Sequence, residues 1–151
     1  MRIVVQRVSE ASVRIEDKIV GSISKGLMVL VGIETTDVQS DADYLVQKLL
    51  NLRIFSDEEG KMNLSIQDVG GELLVVSQFT LHASTKKGNR PSYIRAARPE
   101  QAIPLYSYFI EQAQKELTTK IQTGEFGADM QVSLVNDGPV TIILDSQNKD
   151  F

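Results

Sequence analysis

The sequence predicts one α+β domain in which several strands form an antiparallel sheet or an open β-barrel-like sheet, accompanied by two main helices. Three observations support this class: strand-like alternation near the start, two amphipathic segments, and a length of 151 residues that suits one domain. The composition, 42% hydrophobic and 24% charged, is typical of globular proteins. Since the chain has no repeat or linker, we expect a single domain over 1–151, with a loose polar tail at 147–151.

The first third of the chain predicts strands. Residues 2–8 and 11–16 are strand-like, and the second run alternates apolar with polar side chains. Asp17-Lys18 suits a hairpin tip that leads into a strand at 19–23. Residues 27–33 are apolar on both faces, so this run predicts a central, covered strand. Several apolar strands with only two helices leave one sheet face to cover, and a homodimer would cover it.

Two later segments predict helices, with further strands around them. Ser40 suits the cap of a helix that runs to about Arg53. Pro99 is a favourable first helical residue and begins a second helix that ends near Lys120. The remaining strands are expected at 72–81, 130–136 and 140–145, the last two joined by a turn at 137–139.

Composition excludes several classes of chemistry. The chain has no cysteine, which removes disulfides, thiolate nucleophiles and cysteine–zinc sites, and agrees with a cytoplasmic location. The chain has a single histidine, His82, so a His/carboxylate metal cluster or a Ser-His-Asp triad is hard to assemble. We expect neither a signal peptide nor a membrane span, because the longest apolar run covers only residues 27–33.

The charge is unevenly distributed along the chain. Sixteen basic and twenty acidic residues give a net charge of −4. Between Glu72 and Glu100, 27 residues contain no acid, and the remainder of the chain carries eleven basic against twenty acidic residues, or −9. This window predicts local binding of a polyanion, although a merely solvated basic loop fits the charge equally well. Its five basic residues are Lys86, Lys87, Arg90, Arg95 and Arg98.

Three segments could carry chemistry. Ser77 to Leu81 places short polar residues after an apolar strand, where side chains and backbone N–H groups can converge on one ligand oxygen; an edge strand that leaves the core is the alternative. Asn136 to Thr141 suits a hairpin turn, in which a cis Gly138-Pro139 bond would point two carbonyl groups the same way. Phe126 lies near glycines on either side, so its ring could line a pocket or simply fill the core.

Two polar residues in this region invite a catalytic role. Histidine can act as a general base near neutral pH, but His82 has no second histidine or cysteine to work with, so we interpret it as a pocket-rim or surface residue. Thr80 could be a nucleophile only with a base beside it, and the sequence shows no such base.

Together the segments resemble the D-aminoacyl-tRNA deacylases. The resemblance rests on Ser-Gln-Phe-Thr-Leu in mid-chain, the following Lys-Lys-Gly-Asn-Arg-Pro-Ser loop, and the C-terminal Asn-Asp-Gly-Pro-Val-Thr. The opening Met-Arg-Ile-Val-Val-Gln-Arg-Val is also similar to the first strand of that family, so the match spans essentially the whole chain.

The resemblance implies a homodimer that hydrolyses the ester of a D-amino acid on tRNA without a metal or organic cofactor. It also implies that the enzyme clears glycine mischarged onto alanine tRNA. By this analogy, Gly138 and Pro139 form a Gly-cisPro motif that enters the pocket of the partner subunit and rejects L side chains sterically, while Arg7 holds that turn in place. From its flanking glycines, we expect Phe126 to lie in the same pocket as a substrate-binding residue.

The remaining implied roles concern catalysis and tRNA binding. Ser77, Gln78, Phe79 and Thr80 would line the pocket, with the N–H groups of Phe79 and Thr80 stabilising the oxyanion. The 2′-hydroxyl of the tRNA adenosine would assist the reaction, and a catalytic Thr80 hydroxyl is the rival hypothesis.

The basic loop would contact phosphates, through Lys86, Lys87 and Arg90 in particular. Three alternatives stay open: a non-catalytic nucleic-acid-binding module, a detached threonyl-tRNA synthetase editing domain that removes L-serine, and an inactive structural dimer.

Overall fold

The structure is a computed structural model that describes residues 1–150; Phe151, the last residue of the expected loose tail, lies outside the described residues. In chain order the elements are β1 (Arg2–Ile15), β2 (Lys18–Ile23), β3 (Gly26–Gly32), α1 (Gln39–Asn51), β4 (Phe55–Ser56), β5 (Met62–Leu64), β6 (Glu72–Ser77), a 3-10 turn (Phe79–His82, here the 79–82 turn), α2 (Pro99–Glu116), β7 (Ile121–Thr123) and β8 (Gln131–Asp145).

The main sheet is built around the long strand β1. One edge of β1 pairs with β3 and then β2, and its other edge pairs with β8, all antiparallel. β6 runs parallel to β3, and β7 runs parallel to β6. The sheet is therefore mixed, whereas the sequence predicts an antiparallel sheet or an open barrel-like sheet. A Cβ on Gly21 of β2 would lie 2.9 Å from the carbonyl oxygen of Thr123 in β7. The two ends of the sheet therefore approach each other, which confirms the α+β, barrel-like class with two main helices.

Apolar side chains form a core on each side of the sheet. The larger cluster packs α1 and α2 onto the sheet through Leu45, Leu49 and Phe109, which are fully buried. The smaller cluster lies on the opposite face of the sheet and contains Met28 and Leu74. Burying apolar surface on both faces is the main stabilising contribution, at roughly 25 cal/mol per Å².

Several boundaries differ from the sequence-based expectations. β1 is one strand instead of two, because its pairing with β8 shifts register on either side of Val8 and then continues. α1 begins after Val38 and not at Ser40; the Asp41 carboxylate accepts the Val38 N–H over 2.9 Å and closes the first turn. α2 ends at Glu116, before the expected Lys120. The short strands β4, β5 and β7 hold too few residues to show a period.

The strand expected at 72–81 ends at Ser77. Gln78 still donates its N–H to the carbonyl oxygen of Val31 over 2.7 Å, after which Leu81 N–H bonds back to Gln78 oxygen over 3.2 Å and forms the 79–82 turn. A Cβ on Gly32 would lie 2.9 Å from the Leu81 Cβ, so glycine lets this turn pack directly on β3.

The hairpin expected at 137–139 is also wrong. β8 is continuous from Gln131 to Asp145, with Asn136 opposite Val8 and Thr141 opposite Gln6. Residues 137–140 therefore stand opposite Arg7 alone and bulge out of the ladder; they are called the 137–140 bulge.

Part of the expected loose tail packs against α1. Gln147 Nε2 donates to Asp41 Oδ1 over 2.9 Å, and Lys149 Nζ lies 4.5 Å from the centroid of the Tyr44 ring. Among the described residues, neither helix combines the length and apolar character that a membrane crossing requires.

Candidate active site

A cavity of about 290 Å³ opens where β3, β6, the start of α2 and the segment before β8 meet. It brings together residues from segments far apart in sequence, including three of the four expected at the end of β6 and the expected Phe126. The lining residues are Val31, Ile33, Val76, Ser77, Gln78, Phe79, Ala97, Ala102, Phe126, Gly127, Ala128, Asp129, Met130 and Val132.

The 79–82 turn determines how the polar segment meets this pocket. Thr80 does not line it; its hydroxyl oxygen accepts a hydrogen bond of 2.5 Å from Gln78 Nε2. Within the described residues, no acceptor is bonded to the backbone N–H of Phe79 or Thr80. Such free N–H groups are normal at the start of a helical turn and can bind an oxygen of a ligand.

Phe79 lies at the mouth of the pocket, and the residue is 53% exposed. Its ring packs edge-to-face on Tyr93, with the ring centroids 5.0 Å apart. Tyr93 was not among the residues expected at the site. Its only signal in the sequence is an aromatic residue inside the acid-free basic window, and the long-range ring contact is visible only in the fold.

Phe126 forms part of the opposite wall. Its ring centroid lies 5.8 Å from that of Tyr106 on α2, and the Tyr106 hydroxyl donates to the carbonyl oxygen of Val75 over 3.0 Å. Burial raises the pKa of Tyr106 well above its ordinary value, so the phenol stays protonated and keeps this bond. The wall is thus tied to both α2 and β6.

The Gly138-Pro139 segment lies apart from this pocket. Its peptide bond is cis, the isomer that the resemblance implies, and Gly138 has φ of +133°. Asn136 Oδ1 accepts the Val140 N–H over 3.2 Å and ties the two ends of the 137–140 bulge together. Neither Gly138 nor Pro139 is among the described residues that line the pocket of the same chain.

Arg7 holds the bulge from the opposite strand. Its Nε donates to the carbonyl oxygen of Asp137 over 3.0 Å, and its Nη1 donates to the carbonyl oxygen of Ile54 over 2.6 Å. The guanidinium also lies 3.5 Å from the Asp137 carboxylate. Because its side chain is only 12% exposed, Arg7 is a rigid support and not a surface charge.

The basic loop carries a short hairpin at residues 84–92, called the basic hairpin. Ser84 and Ser92 exchange backbone hydrogen bonds of 2.8 and 2.9 Å at its base. Lys86, Lys87 and Arg90 lie on its exposed tip, and the structure pairs none of them with an acid within residues 1–150.

Two other charged residues of this loop differ from the basic hairpin. Arg95 pairs with Glu34 over 2.5 Å, so its guanidinium already has an acidic partner. Arg98 lies at the start of α2.

The expectation for His82 is wrong. Its side chain is only 1% exposed, and it neither lines the pocket nor lies on the surface. His82 Nδ1 lies 3.8 Å from Glu34 Oε2, and both ring nitrogens are buried without a hydrogen-bond partner in the described structure. The end of the 79–82 turn packs against β3, where a Cβ on Gly32 would lie 3.1 Å from His82 Cδ2. This packing buries the imidazole. No group of three or more metal-binding side chains occurs in the part of the chain that the structure describes.

Comparisons with known proteins identify the class of this fold and site. The family model of the D-Tyr-tRNA(Tyr) deacylases matches residues 4–145. The D-aminoacyl-tRNA deacylase of Flavobacterium psychrophilum is 63% identical over 150 residues, covering 99% of this chain and 100% of the relative. That of Bacteroides thetaiotaomicron is 62% identical with the same coverage.

Solved structures agree. One titled "c-Myc DNA Unwinding Element Binding Protein" has a TM-score of 0.92 at 46% identity and covers 96% of this chain and 98% of its own. A probable eukaryotic D-amino acid tRNA deacylase has a TM-score of 0.80 at 18% identity, over 95% of this chain and 98% of its own, which shows the fold alone.

The fold and the matches thus define a hydrolase that acts on the ester bond of aminoacyl-tRNA. The chain belongs to the D-Tyr-tRNA(Tyr) deacylase family, as its motifs imply.

Proposed function

We propose that this chain edits tRNA as a homodimer, in which Gly138 and Pro139 of one subunit complete the pocket of the other. One observation carries the proposal: the pocket and the 137–140 bulge occupy separate places in a single chain. The bulge leaves the ladder of its strand and is held in place by Arg7. A segment held in this way can act on the surface of another subunit.

The edge of β8 supports the same assembly. Within residues 1–150, this 15-residue strand pairs only with β1, so its second edge has no partner. Val135 is 50% exposed and Ile143 is 38% exposed on it. A long, partly apolar edge strand favours association, and a second copy would cover it.

Selection between D and L substrates follows from steric exclusion. The carbonyl groups of the partner's Gly138 and Pro139 lie beside the substrate α-carbon, where an L side chain collides and a D side chain points toward solvent. Glycine has no side chain to exclude, so the same site clears glycyl-tRNA(Ala).

Catalysis depends on positioned backbone groups. The free N–H groups of Phe79 and Thr80 stabilise the tetrahedral oxyanion, a contribution that is typically worth about 3–4 kcal/mol per donor. Asp129 is the only ionisable residue among the lining residues that the structure describes, so no histidine, lysine or tyrosine of this chain is placed to act as a base. The 2′-hydroxyl of the substrate's own adenosine assists the attack of water.

Thr80 is the rival catalytic group. Its hydroxyl oxygen is occupied by the Gln78 amide, and no carboxylate or imidazole of the described chain is bonded to it. A hydroxyl without a base is a poor nucleophile, so this contact supports a positioning role for Thr80.

The basic hairpin binds the phosphates of the acceptor end. Lys86, Lys87 and Arg90 are exposed and unpaired in the structure of residues 1–150, and contacts to phosphates alone read no base sequence. The site therefore accepts many tRNAs.

The first experiment compares hydrolysis of D-tyrosyl-tRNA and L-tyrosyl-tRNA by the purified chain in EDTA. Loss of the D ester alone supports the proposal, and loss of both contradicts the role of Gly138 and Pro139. Thr80→Ala is expected to keep kcat within about fivefold, whereas a D-aminoacyl ester on 2′-deoxyadenosine loses at least about a hundredfold. The reverse result would make Thr80 catalytic.

A second candidate is a nucleic-acid-binding module without turnover. Two observations favour it: the basic hairpin, and the similarity to a structure titled as a DNA unwinding element binding protein. It predicts that both esters survive while tRNA or DNA binds. Release of L-serine from seryl-tRNA would instead indicate the activity of a detached threonyl-tRNA synthetase editing domain.

A further inference from the structure

One side chain connects the end of the β1–β8 ladder to the turn at the pocket. Arg2 and Asp145 are paired in that ladder, and Arg2 Nε donates to Asp145 Oδ2 over 2.8 Å. Through Nη1, the same guanidinium donates to the carbonyl oxygen of Leu81 over 2.9 Å. Leu81 belongs to the 79–82 turn, so Arg2 contacts both elements at once.

Asp145 is a fixed anchor for this guanidinium. The residue is 6% exposed, and its Oδ1 accepts the N–H groups of Gln147 over 2.8 Å and Asn148 over 3.1 Å. Burial alone would raise the pKa of Asp145, but these two N–H groups and Arg2 outweigh it and hold the pKa below its ordinary value. The carboxylate is therefore charged at neutral pH.

The turn needs an external anchor because it has few internal bonds. A 3-10 segment of four residues closes only a couple of its own hydrogen bonds, and its last carbonyl groups have no internal donor. Leu81 carbonyl oxygen is one of these, and Arg2 satisfies it.

We propose that Arg2, anchored by Asp145, is a positioning residue that holds the 79–82 turn, and with it the Phe79 and Thr80 N–H groups, at the edge of the pocket. The inference rests on the proposed function, in which those N–H groups stabilise the oxyanion. Donors that act on a transition state must be placed within a fraction of an ångström, and a displacement of about 1 Å can lower the rate by about a hundredfold.

The test is a split between kcat and KM for D-tyrosyl-tRNA. Arg2→Met is expected to lower kcat at least about tenfold and leave KM within about twofold, because the basic hairpin that binds tRNA is untouched. Arg2→Lys keeps the charge beside Asp145 and is expected to recover at least a third of the lost activity. If Arg2→Met fails to fold, Asp145→Asn replaces it in the test. This variant removes the anchor, keeps the guanidinium and is also expected to lower kcat.

Arg53→Met is the matched control. Arg53 also donates to a backbone carbonyl, that of Asn63 over 3.0 Å, but this contact joins the residues before β4 to β5, and within residues 1–150 those two strands pair only with each other. This variant should keep the wild-type kcat. Amide hydrogen exchange is the second readout: Arg2→Met should speed exchange over residues 78–83, and Arg53→Met should not.

Unchanged kcat, a change in KM alone, or equal exchange over residues 78–83 in Arg2→Met and wild type would overturn the assignment. Failure of the proposed function looks different. In that case the wild-type chain leaves D-tyrosyl-tRNA intact, and the exchange comparison still decides whether Arg2 anchors the turn.

Discussion

At Gly138 the backbone has φ of +133°, a conformation that L side chains rarely adopt. A Cβ there would lie 2.8 Å from Val140 Cγ2 and 2.9 Å from Arg7 Nη2, so a larger residue would displace the side chain that braces the bulge. Positive φ and crowding thus coincide at the residue proposed to face the substrate.

Gly138→Ala is expected to lower the free energy of unfolding by about 1–3 kcal/mol and to lower activity on D esters, because strain and crowding add. Urea denaturation measures the first effect. Gly88→Ala is the control, since Gly88 has φ of +141° and an added methyl group would meet no atom within 4 Å. Equal losses of stability in the two variants would mean that crowding against Val140 and Arg7 contributes nothing.

His82→Leu tests a second single residue. It removes two buried ring nitrogens that have no hydrogen-bond partner in the described structure, so the free energy of unfolding should stay equal or rise by about 1 kcal/mol. Because His82 does not line the pocket, kcat should stay within about twofold. A tenfold fall in kcat with normal stability would contradict this and show that the imidazole either acts in the reaction or positions the 79–82 turn.

At the scale of elements, α2 is joined to β6 by the Tyr106 hydroxyl. Burial raises the pKa of Tyr106 above its ordinary value of 10.0, so the folded chain resists ionisation of this phenol. The unfolded chain ionises near pH 10, and the stability that the neutral phenol contributes is lost as the pH rises beyond that value.

Tyr106→Phe should lower the free energy of unfolding by about 0.5–1.5 kcal/mol at pH 7, because one buried hydrogen bond is lost while the Val75 carbonyl oxygen still accepts the Gly124 N–H over 3.1 Å. The gap between wild type and variant should narrow between about pH 10 and 11.5 in urea denaturation, since only the wild type carries this ionisation. If the difference in free energy of unfolding stays constant over this pH range, the pKa of Tyr106 is not raised by burial.

The basic hairpin is a second element with a testable role. Replacing Lys86 and Lys87 by Ala should weaken tRNA binding and reduce the slope of log Kd against log salt by about 0.7–0.9 for each lost phosphate contact. Lys18→Ala, an exposed lysine in β2, is the control and should keep the wild-type slope. A double variant with an unchanged slope would remove the hairpin from the tRNA interface.

The proposal for the whole molecule is that each active site is shared between two subunits. Mixing can test this with two variants of reduced activity, one altered in the pocket (Phe126→Ala with Gln78→Ala) and one in the bulge (Gly138→Ala). If the bulge acts in the partner, a heterodimer regains one intact site, and random mixing restores about a quarter of wild-type activity. No recovery after verified subunit exchange would place pocket and bulge in the same subunit.

Much of the site was accessible from sequence because its residues are adjacent in the chain. Ser77, Gln78 and Phe79 form one segment, and all three line the pocket together with the expected Phe126. Arg2 and Tyr93 were missed because their roles depend on contacts with residues far away in sequence, Leu81 and Phe79 respectively. No local pattern encodes such contacts.

Local patterns were sufficient to establish the class of fold, both helices, the family and the position of the basic surface, because periodicity, composition and motifs can be read from neighbouring residues. Three-dimensional packing was needed to establish that 137–140 is a bulge opposite Arg7, that His82 is buried, and that the strand at Glu72 ends before Phe79. These outcomes depend on ladder register and packing: a bulge and a hairpin use the same turn residues, and the partner strand selects between them.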